Sequence, residues 1–460
     1  MRGRRCVGHL HSAMRKPTDH REGSLEAPTR HPVAWQADEF YDSEALDKEL
    51  ERVFDICHGC RRCFNLCHAF PTLFDAVDES PSGEVDTVPK KVFWEVVDHC
   101  YLCDMCYMTK CPYVPPHPWN VDFPHLMLRA KTKRFRDQGA STRDRLLAAT
   151  DTLGKLAGIP VLVQAVNATN RSKTGRYVLE KTLGVHRDAP IPRYYSNTAR
   201  KRLARKQGAD GEQAQATATT RGKVVLFTTC YGNRNLPSLN EDLVAVFEHN
   251  GIPVALAEQE VCCGMPRLEL GDLEAVARSK EANIPILASW VDRGWDIVTP
   301  IPSCTLMFKQ ELPLMFPDDA DVAKVRRAMF DPFEYLMLRH KDGELRTDFR
   351  NSLGKISYQV PCHLRVQNIG LKTRDLLSLV PDTQVEAIER CSGHDGTYAV
   401  KKEFHAISKK IARPVVRKVK QSDAAHFISD CPMAAEQIAQ ELENQEPEHP
   451  LGLLRLAYGI

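Results

Sequence analysis

Fifteen of the sixteen cysteines fall into two groups whose spacing specifies metal chemistry. Cys57, Cys60, Cys63 and Cys67 form C-x2-C-x2-C-x3-C, and Cys100, Cys103, Cys106 and Cys111 form C-x2-C-x2-C-x4-C with Pro112 next. Three thiolates two residues apart let one turn of backbone grip three irons of a cubane. A fourth, thrown beyond the turn, reaches a neighbouring cluster. That logic assigns Cys57, Cys60, Cys63 and Cys111 to one [4Fe–4S] centre, and Cys100, Cys103, Cys106 and Cys67 to a second. Thiolate is soft and suits iron in a sulfide cube, whereas structural zinc sites draw two ligands from each of two paired knuckles, an arrangement neither half has. His68 stands where Pro usually follows the first motif, and one extra residue precedes Cys111. Both alter loop geometry and leave the ligand count intact.

The second group is repetitive. Cys230, Cys263 and Cys304 recur as Cys362, Cys391 and Cys431 at offsets of 132, 128 and 127 residues, with Cys262 beside Cys263 in the first copy. Each of the six ends an apolar run of strand length. Lys223 to Phe227, Ile252 to Leu256 and Asp296 to Pro300 read as strands, separated by a helix bearing Leu239, Leu243, Val246 and Phe247 and another over Asp272 to Asp292. Lys355 to Val360, Gln384 to Ile388 and Ala424 to Ile428 repeat the plan, with helices over Leu371 to Leu379 and Ala399 to Val419 and a last one after Pro432. Strand–helix alternation implies parallel sheets, and the constant offset implies an internal duplication. Cysteines at successive strand ends converge on one sheet edge, where α/β proteins bind ligands.

The remaining chain positions these groups. Residues 1–41, rich in Arg and His and without apolar periodicity, read as a mostly disordered tail with Cys6 as its lone thiol. Ser43 can cap a helix carrying Leu46, Leu50, Val53 and Phe54 that delivers the chain to Cys57. The helical cysteine block spans 42–128. A connector over 129–221 opens with Arg129, Lys131, Lys133, Arg134 and Arg136, read as a solvated helix face, with an acidic-partner or membrane docking patch as the alternative. It closes on a polar linker of Gln, Ala and Thr. The α/β domains occupy 222–345 and 354–446.

Composition narrows the function. Lys and Arg number 62 against 60 Asp and Glu, so the net charge of +2 argues for no nucleic-acid partner. The 43% hydrophobic content is that of a globular protein. No apolar run approaches the ~18 residues of a membrane helix, and the first thirty residues lack the apolar core of an export signal. A cytoplasmic protein is expected, with any contact to the inner membrane face peripheral. Sixteen cysteines there indicate metal or redox chemistry and not a disulfide framework. No Walker loop, nicotinamide fingerprint or Gly-x-Ser-x-Gly elbow is present.

The block from about Ser43 to Met127 resembles the helical two-cluster ferredoxin module of succinate and fumarate dehydrogenase iron–sulfur subunits. Cys230…Cys262-Cys263-Gly264…Cys304 resembles the CCG domain of heterodisulfide reductase and of the C subunit of anaerobic glycerol-3-phosphate dehydrogenase. The order of a ferredoxin module followed by two CCG domains resembles the latter and related glycolate and lactate oxidase subunits. The fullest form of that motif has five cysteines per domain around a non-cubane cluster. Here Met307 replaces the last cysteine of the first copy, leaving Cys230, Cys262, Cys263 and Cys304. In the second, Ser392 replaces one of the pair and Ala434 the terminal one, leaving Cys362, Cys391 and Cys431. A further iron–sulfur cluster and zinc both remain open for these domains.

The resemblance implies an iron–sulfur electron-transfer subunit between a flavin-containing dehydrogenase, or another redox protein, and an acceptor such as a quinone. A CCG-centred disulfide reductase fed by the cubanes and a metal-stabilised assembly scaffold are the alternatives. His363, Arg365 and His394 near the strand ends are expected to be satisfied polar side chains. Gly264, Gly393 and Gly396 are expected to let backbone N–H groups reach the sulfurs. Tyr398, Lys401 and Lys402 read as an exposed first helical turn.

Overall fold

Asp42, one residue before the expected serine, caps the first helix. Its side chain accepts from the Ala45 N–H, and α1 (Ser43–Cys60) buries Leu46, Leu50, Val53 and Phe54 before Arg61 turns left-handed at φ 54°. Three further helices, α2 (Ala69–Asp78), α3 (Lys90–His99) and α4 (Met105–Thr109), lead to α5 (Phe123–Gln138), capped by Asp122. Their apolar stripes meet through aromatic contacts, Phe54 edge-on to Phe93 at 5.0 Å and Phe70 4.8 Å from Phe123. The computed structural model describes residues 28–206, 215–442 and 446–460. Cys6 lies outside them.

Residues 28–41 are not the disordered tail expected. The Arg30 guanidinium is buried between Asp104 and Asp122, with Glu311 at 3.7 Å. The buried Trp35 indole donates to the Met315 carbonyl at 3.1 Å, and the Val33 N–H to that of Leu314 at 2.8 Å. A lone buried arginine is stable where carboxylates compensate it, so this strap fastens the helical block to the first α/β domain.

Each α/β domain holds a parallel sheet. β1 (Val224–Leu226), β2 (Val254–Leu256), β3 (Asp296–Val298) and β4 (Met329–Phe330) lie in the order β2-β1-β3-β4, with Val224 opposite Val254 and Asp296. β5 (Gly354–Gln359), β6 (Thr383–Ile388) and β7 (His426–Ser429) lie in the order β6-β5-β7. The shared core of both, first strand central and third beyond it, is the duplication read from the cysteine offsets. β4 and its flanking helices Ala320–Ala328 and Pro332–Lys341 extend the first copy alone. The helix expected from Ala399 starts at His405. Tyr398 is not an exposed first turn but buried, sharing a 2.8 Å hydrogen bond with His99 Nδ1.

The described part of the connector is helical over most of its length. Of the helices α6 (Thr142–Ala148), α7 (Thr150–Ala157), α8 (Pro160–Arg171) and α9 (Lys173–Leu183), α6 packs on the helix Met265–Leu270 and α7 on the helix Cys230–Arg234 of the first repeat, and α8 and α9 continue the layer. The basic run on α5 is not a freely solvated face, because its side chains have partners within the chain. Arg129 donates to the Phe40 and Glu39 carbonyls, Lys131 to that of Cys100 at 2.6 Å, Arg134 pairs with Asp98, and Arg136 sits over the Tyr41 ring. Of the expected linker, 207–214 lie outside the described residues, while Thr219 fixes the rest by donating to Asp342 at 2.7 Å.

Candidate metal centres

Local backbone chemistry presents the first eight thiols. Cys57 and Cys60 lie in the last turn of α1, and the left-handed Arg61, held by Asp78, reverses the chain toward Cys63. Leu102 at φ 53° and Asp104 at φ 58° bend the 100–106 segment similarly. The Asp104 carboxylate is held by Arg30, which ties this loop to the strap.

The eight thiols lie near one another, across the two motifs as well as within them. Burial, then the neighbouring thiols of Cys111, Cys63 and Cys60, push Cys57 well above the ordinary range. Cys67 is raised by burial, then by Cys100 and Cys103, from the other motif. Cys106 is raised by burial, then by Cys63, Cys100, Cys103 and Cys67, so the two sets adjoin. Burial pushes Cys63 and Cys100 up to about 12, and Cys111 to about 11. Among the described residues every cysteine is free of disulfides. Buried thiols that raise one another can all ionise only around a cationic centre, so the donor set fits a thiolate-held metal group. Among the described residues no three His, Cys, Asp or Glu side chains converge closely enough to hold a single metal ion.

The first repeat gathers its four thiols locally. Cys230 opens a short helix after β1, behind Thr229 at φ 63°, whose side chain accepts from the Gly232 N–H. Cys262 and Cys263 follow β2, and Cys304 lies in the helix Pro302–Leu306 after β3. The Cys230 thiol donates to Cys262 Sγ at 4.0 Å. Accepting from Cys230, then from Cys263, holds the Cys262 thiol well below its ordinary range, aided by the Gly264 N–H. Met307 is fully buried and begins a π-helical turn to Glu311, a distortion frequent at functional sites.

The second repeat behaves differently. Cys362 shares the cavity wall with Cys103 of the helical block and with Cys391, and these two neighbours, then burial, push its thiol well above the ordinary range. Cys391, accepting from Cys362, is lowered, and the Gly393 N–H donates to its sulfur at 3.3 Å. Cys431 does not share this contact. Burial raises it to about 11, with Asp430 and Glu436 as its acidic neighbours. Gly264 and Gly393 thus act as expected, whereas Gly396 has another role: a Cβ there would collide with the Glu269 carboxylate.

A cavity of about 590 Å³ joins these sites. All seven repeat cysteines and Cys103 line it, and α7–α9 wall it with Leu153, Leu162, Val166 and Leu179. These helices carried no motif to mark them. His394 is buried with neither ring nitrogen partnered among the described residues, so it is not the satisfied side chain expected, and burial lowers it to about 4. His363 shares a 2.7 Å hydrogen bond with the Ser303 hydroxyl and leaves Nε2 unpartnered, while Arg365 pairs with Glu389 at 2.9 Å.

Comparison with known proteins agrees with this geometry. The CCG cysteine-rich domain model matches residues 224–309 and 356–438, covering both repeats. The C subunit of the anaerobic glycerol-3-phosphate dehydrogenase of Escherichia coli K12 is 26% identical over 345 residues, 74% of this chain and 83% of that protein. Lactate utilization protein A of Bacillus cereus B4264 is 32% identical over 216 residues, 45% of this chain and 87% of that protein. With two cysteine-rich repeats at the strand ends and these relatives, the chain belongs to the CCG-domain family that includes lactate utilization protein A and the C subunit of anaerobic glycerol-3-phosphate dehydrogenase.

Proposed function

We propose that this chain is an iron–sulfur electron-transfer subunit that links a flavin-containing dehydrogenase partner to an acceptor bound in the cavity. The name of the Escherichia coli relative, a subunit of a dehydrogenase, supports the redox setting. Cys57, Cys60, Cys63 and Cys111 would hold one [4Fe–4S] cluster, and Cys100, Cys103, Cys106 and Cys67 another, each supplying one-electron redox chemistry. Neither motif has the two paired knuckles of a structural zinc site, which favours clusters over zinc. Cys230, Cys262, Cys263 and Cys304 would hold a further centre at the cavity wall.

The observation that carries this reading is the convergence of Cys103 with Cys362, Cys391 and the other repeat cysteines on one cavity wall. It brings a helical-block thiol to the cavity without an intervening protein layer, which a scaffold would not need. The cavity's largely apolar wall and the unpartnered His394 suit a ring with carbonyl acceptors, such as a quinone. Leu156, Ile159, Val161, Leu162, Tyr177 and Val178 on and between α7 and α9 are exposed, and Leu156 and Leu162 also line the cavity. Among the described residues no helix is long and apolar enough to cross a membrane. A peripheral contact through these helices would open the cavity toward lipid.

The Cys230–Cys262 hydrogen bond favours one alternative, a CCG-centred disulfide reductase. Anaerobic iron and acid-labile sulfide counts test the main reading. About eight irons are expected for the helical block and more with the first repeat occupied; an iron-free protein after anaerobic reconstitution overturns it. Turnover of a disulfide, abolished in Cys263→Ala with the helical-block signals intact, would select the reductase.

A further inference from the structure

A second space lies behind the cysteine cavity. It is a cleft of about 330 Å³ with a charged lining that includes Lys131, Arg134, Arg143, Asp144, Lys401 and Glu403. Its charges are largely paired, Arg143 with Glu403 and Lys401 with Asp144 at 3.0 Å. Four residues line both spaces: Tyr101, Glu269, Asp395 and Thr397. They form the partition between a polar cleft and an apolar cavity.

The partition is built to hold carboxyl groups. Gly396, left-handed at φ 46°, leaves the room that the Glu269 carboxylate fills. Glu269 faces Lys131 on α5, Lys401 before the helix His405–Ser422 and Asp395, with Cys262 behind it. On the cavity side, the buried Tyr101 hydroxyl and both ring nitrogens of His394, the residue before Asp395, lack partners among the described residues. Unpartnered buried polar atoms facing a cavity await a ligand or water.

We propose that Glu269 and Asp395 relay protons through this partition, from the charged cleft to the acceptor in the cysteine cavity. The relay rests on the electron-transfer reading above. A quinone that gains two electrons from the flavoprotein partner, by way of the thiolate-held centres, must also gain two protons to leave as a hydroquinone. Of the carboxyl groups that line the cavity, Glu269, Asp395 and Glu436, only Glu269 and Asp395 also line the cleft, where Lys131, Asp144, Lys401 and Glu403 can resupply them. Each transfer moves one proton from a carboxyl on the partition to the reduced ring oxygen, and the carboxylate recovers it from the cleft. Burial raises the Glu269 carboxyl to about 7 despite Lys131 and Lys401, within the range where a carboxyl both gives and regains a proton near neutral pH.

The test uses the full chain, reconstituted anaerobically, as wild type, Glu269→Gln and Glu269→Asp. Proton uptake after a reducing flash is followed with a pH-indicator dye, and the reduced centres are read by low-temperature EPR. With menadione present, the relay predicts EPR signals alike in all three proteins, uptake slowed by about 100-fold in Glu269→Gln, and recovery in Glu269→Asp or on adding a small weak acid. Uptake in Glu269→Gln as fast as in wild type, with the centres reduced, overturns the relay alone. A wild type with no reducible centre overturns the electron-transfer reading and the relay with it.

Discussion

The two CCG repeats share a strand order and diverge in what their cysteines meet. The first closes Cys230, Cys262, Cys263 and Cys304 on themselves at the ends of β1, β2 and β3. The second turns Cys362 toward Cys103 with Cys391 beside it, and leaves Cys431 among acids. One fold thus yields a self-contained thiol set and a wall completed by another domain. Ser392 and Ala434 mark the difference, since the second repeat lacks the thiols to close a set of its own. The duplicated scaffold positions strand ends, and the local residues decide what those ends bind.

The comparison can be broken most strongly at Cys103. Cys103→Ala removes a thiol of the helical block and its link to Cys362. Acceptor reduction should fall by more than the ~10–100-fold cost of losing an outer partner of a metal ligand. Stopped-flow measurement of acceptor reduction checks this. Next, Cys263→Ala should lower the iron count of the isolated protein, because its four-thiol set is complete within one domain. Cys431→Ala should leave that count unchanged. Equal losses from both would erase the asymmetry.

Arg30 sharpens the comparison through stability. It spans Asp104 and Asp122, the cap of α5, in the helical block and approaches Glu311 in the first repeat. Arg30→Ala leaves buried carboxylates uncompensated and should cost about 3–5 kcal/mol, read by chemical denaturation. The smallest effect is expected at Asp331, where the repeats bring acids together. Burial, then Asp430 and Glu334, raise its carboxyl to about 8. A folded value above the unfolded one means that stability falls as pH rises from the ordinary carboxylate range through about 8. Asp331→Asn keeps an oxygen for the Phe333 and Glu334 N–H groups without the charge. It should flatten the fall of melting temperature with rising pH.

Local signals were legible in the sequence and tertiary ones were not. Cysteine spacing and apolar runs marked both thiol motifs and six of the seven strands, since those patterns are set within a few residues. The two-residue β4 carries too little pattern to stand out. Arg30 and Trp35 looked like tail because their partners lie 74 to 280 residues away. Tyr398 looked like a helix start, although a buried loop precedes the helix at His405. The Cys103–Cys362 contact joins residues of different domains, so no spacing announces it. The partition of Glu269 and Asp395 arises only where α5, the helix Met265–Leu270 and the 391–398 loop converge.

The union of the second repeat with the helical block is tested most directly by low-temperature EPR of the reduced, anaerobically reconstituted protein carrying Cys362→Ser. We expect the signal of the Cys67, Cys100, Cys103 and Cys106 set to change while that of the Cys57, Cys60, Cys63 and Cys111 set does not. A spectrum identical to wild type would contradict the account.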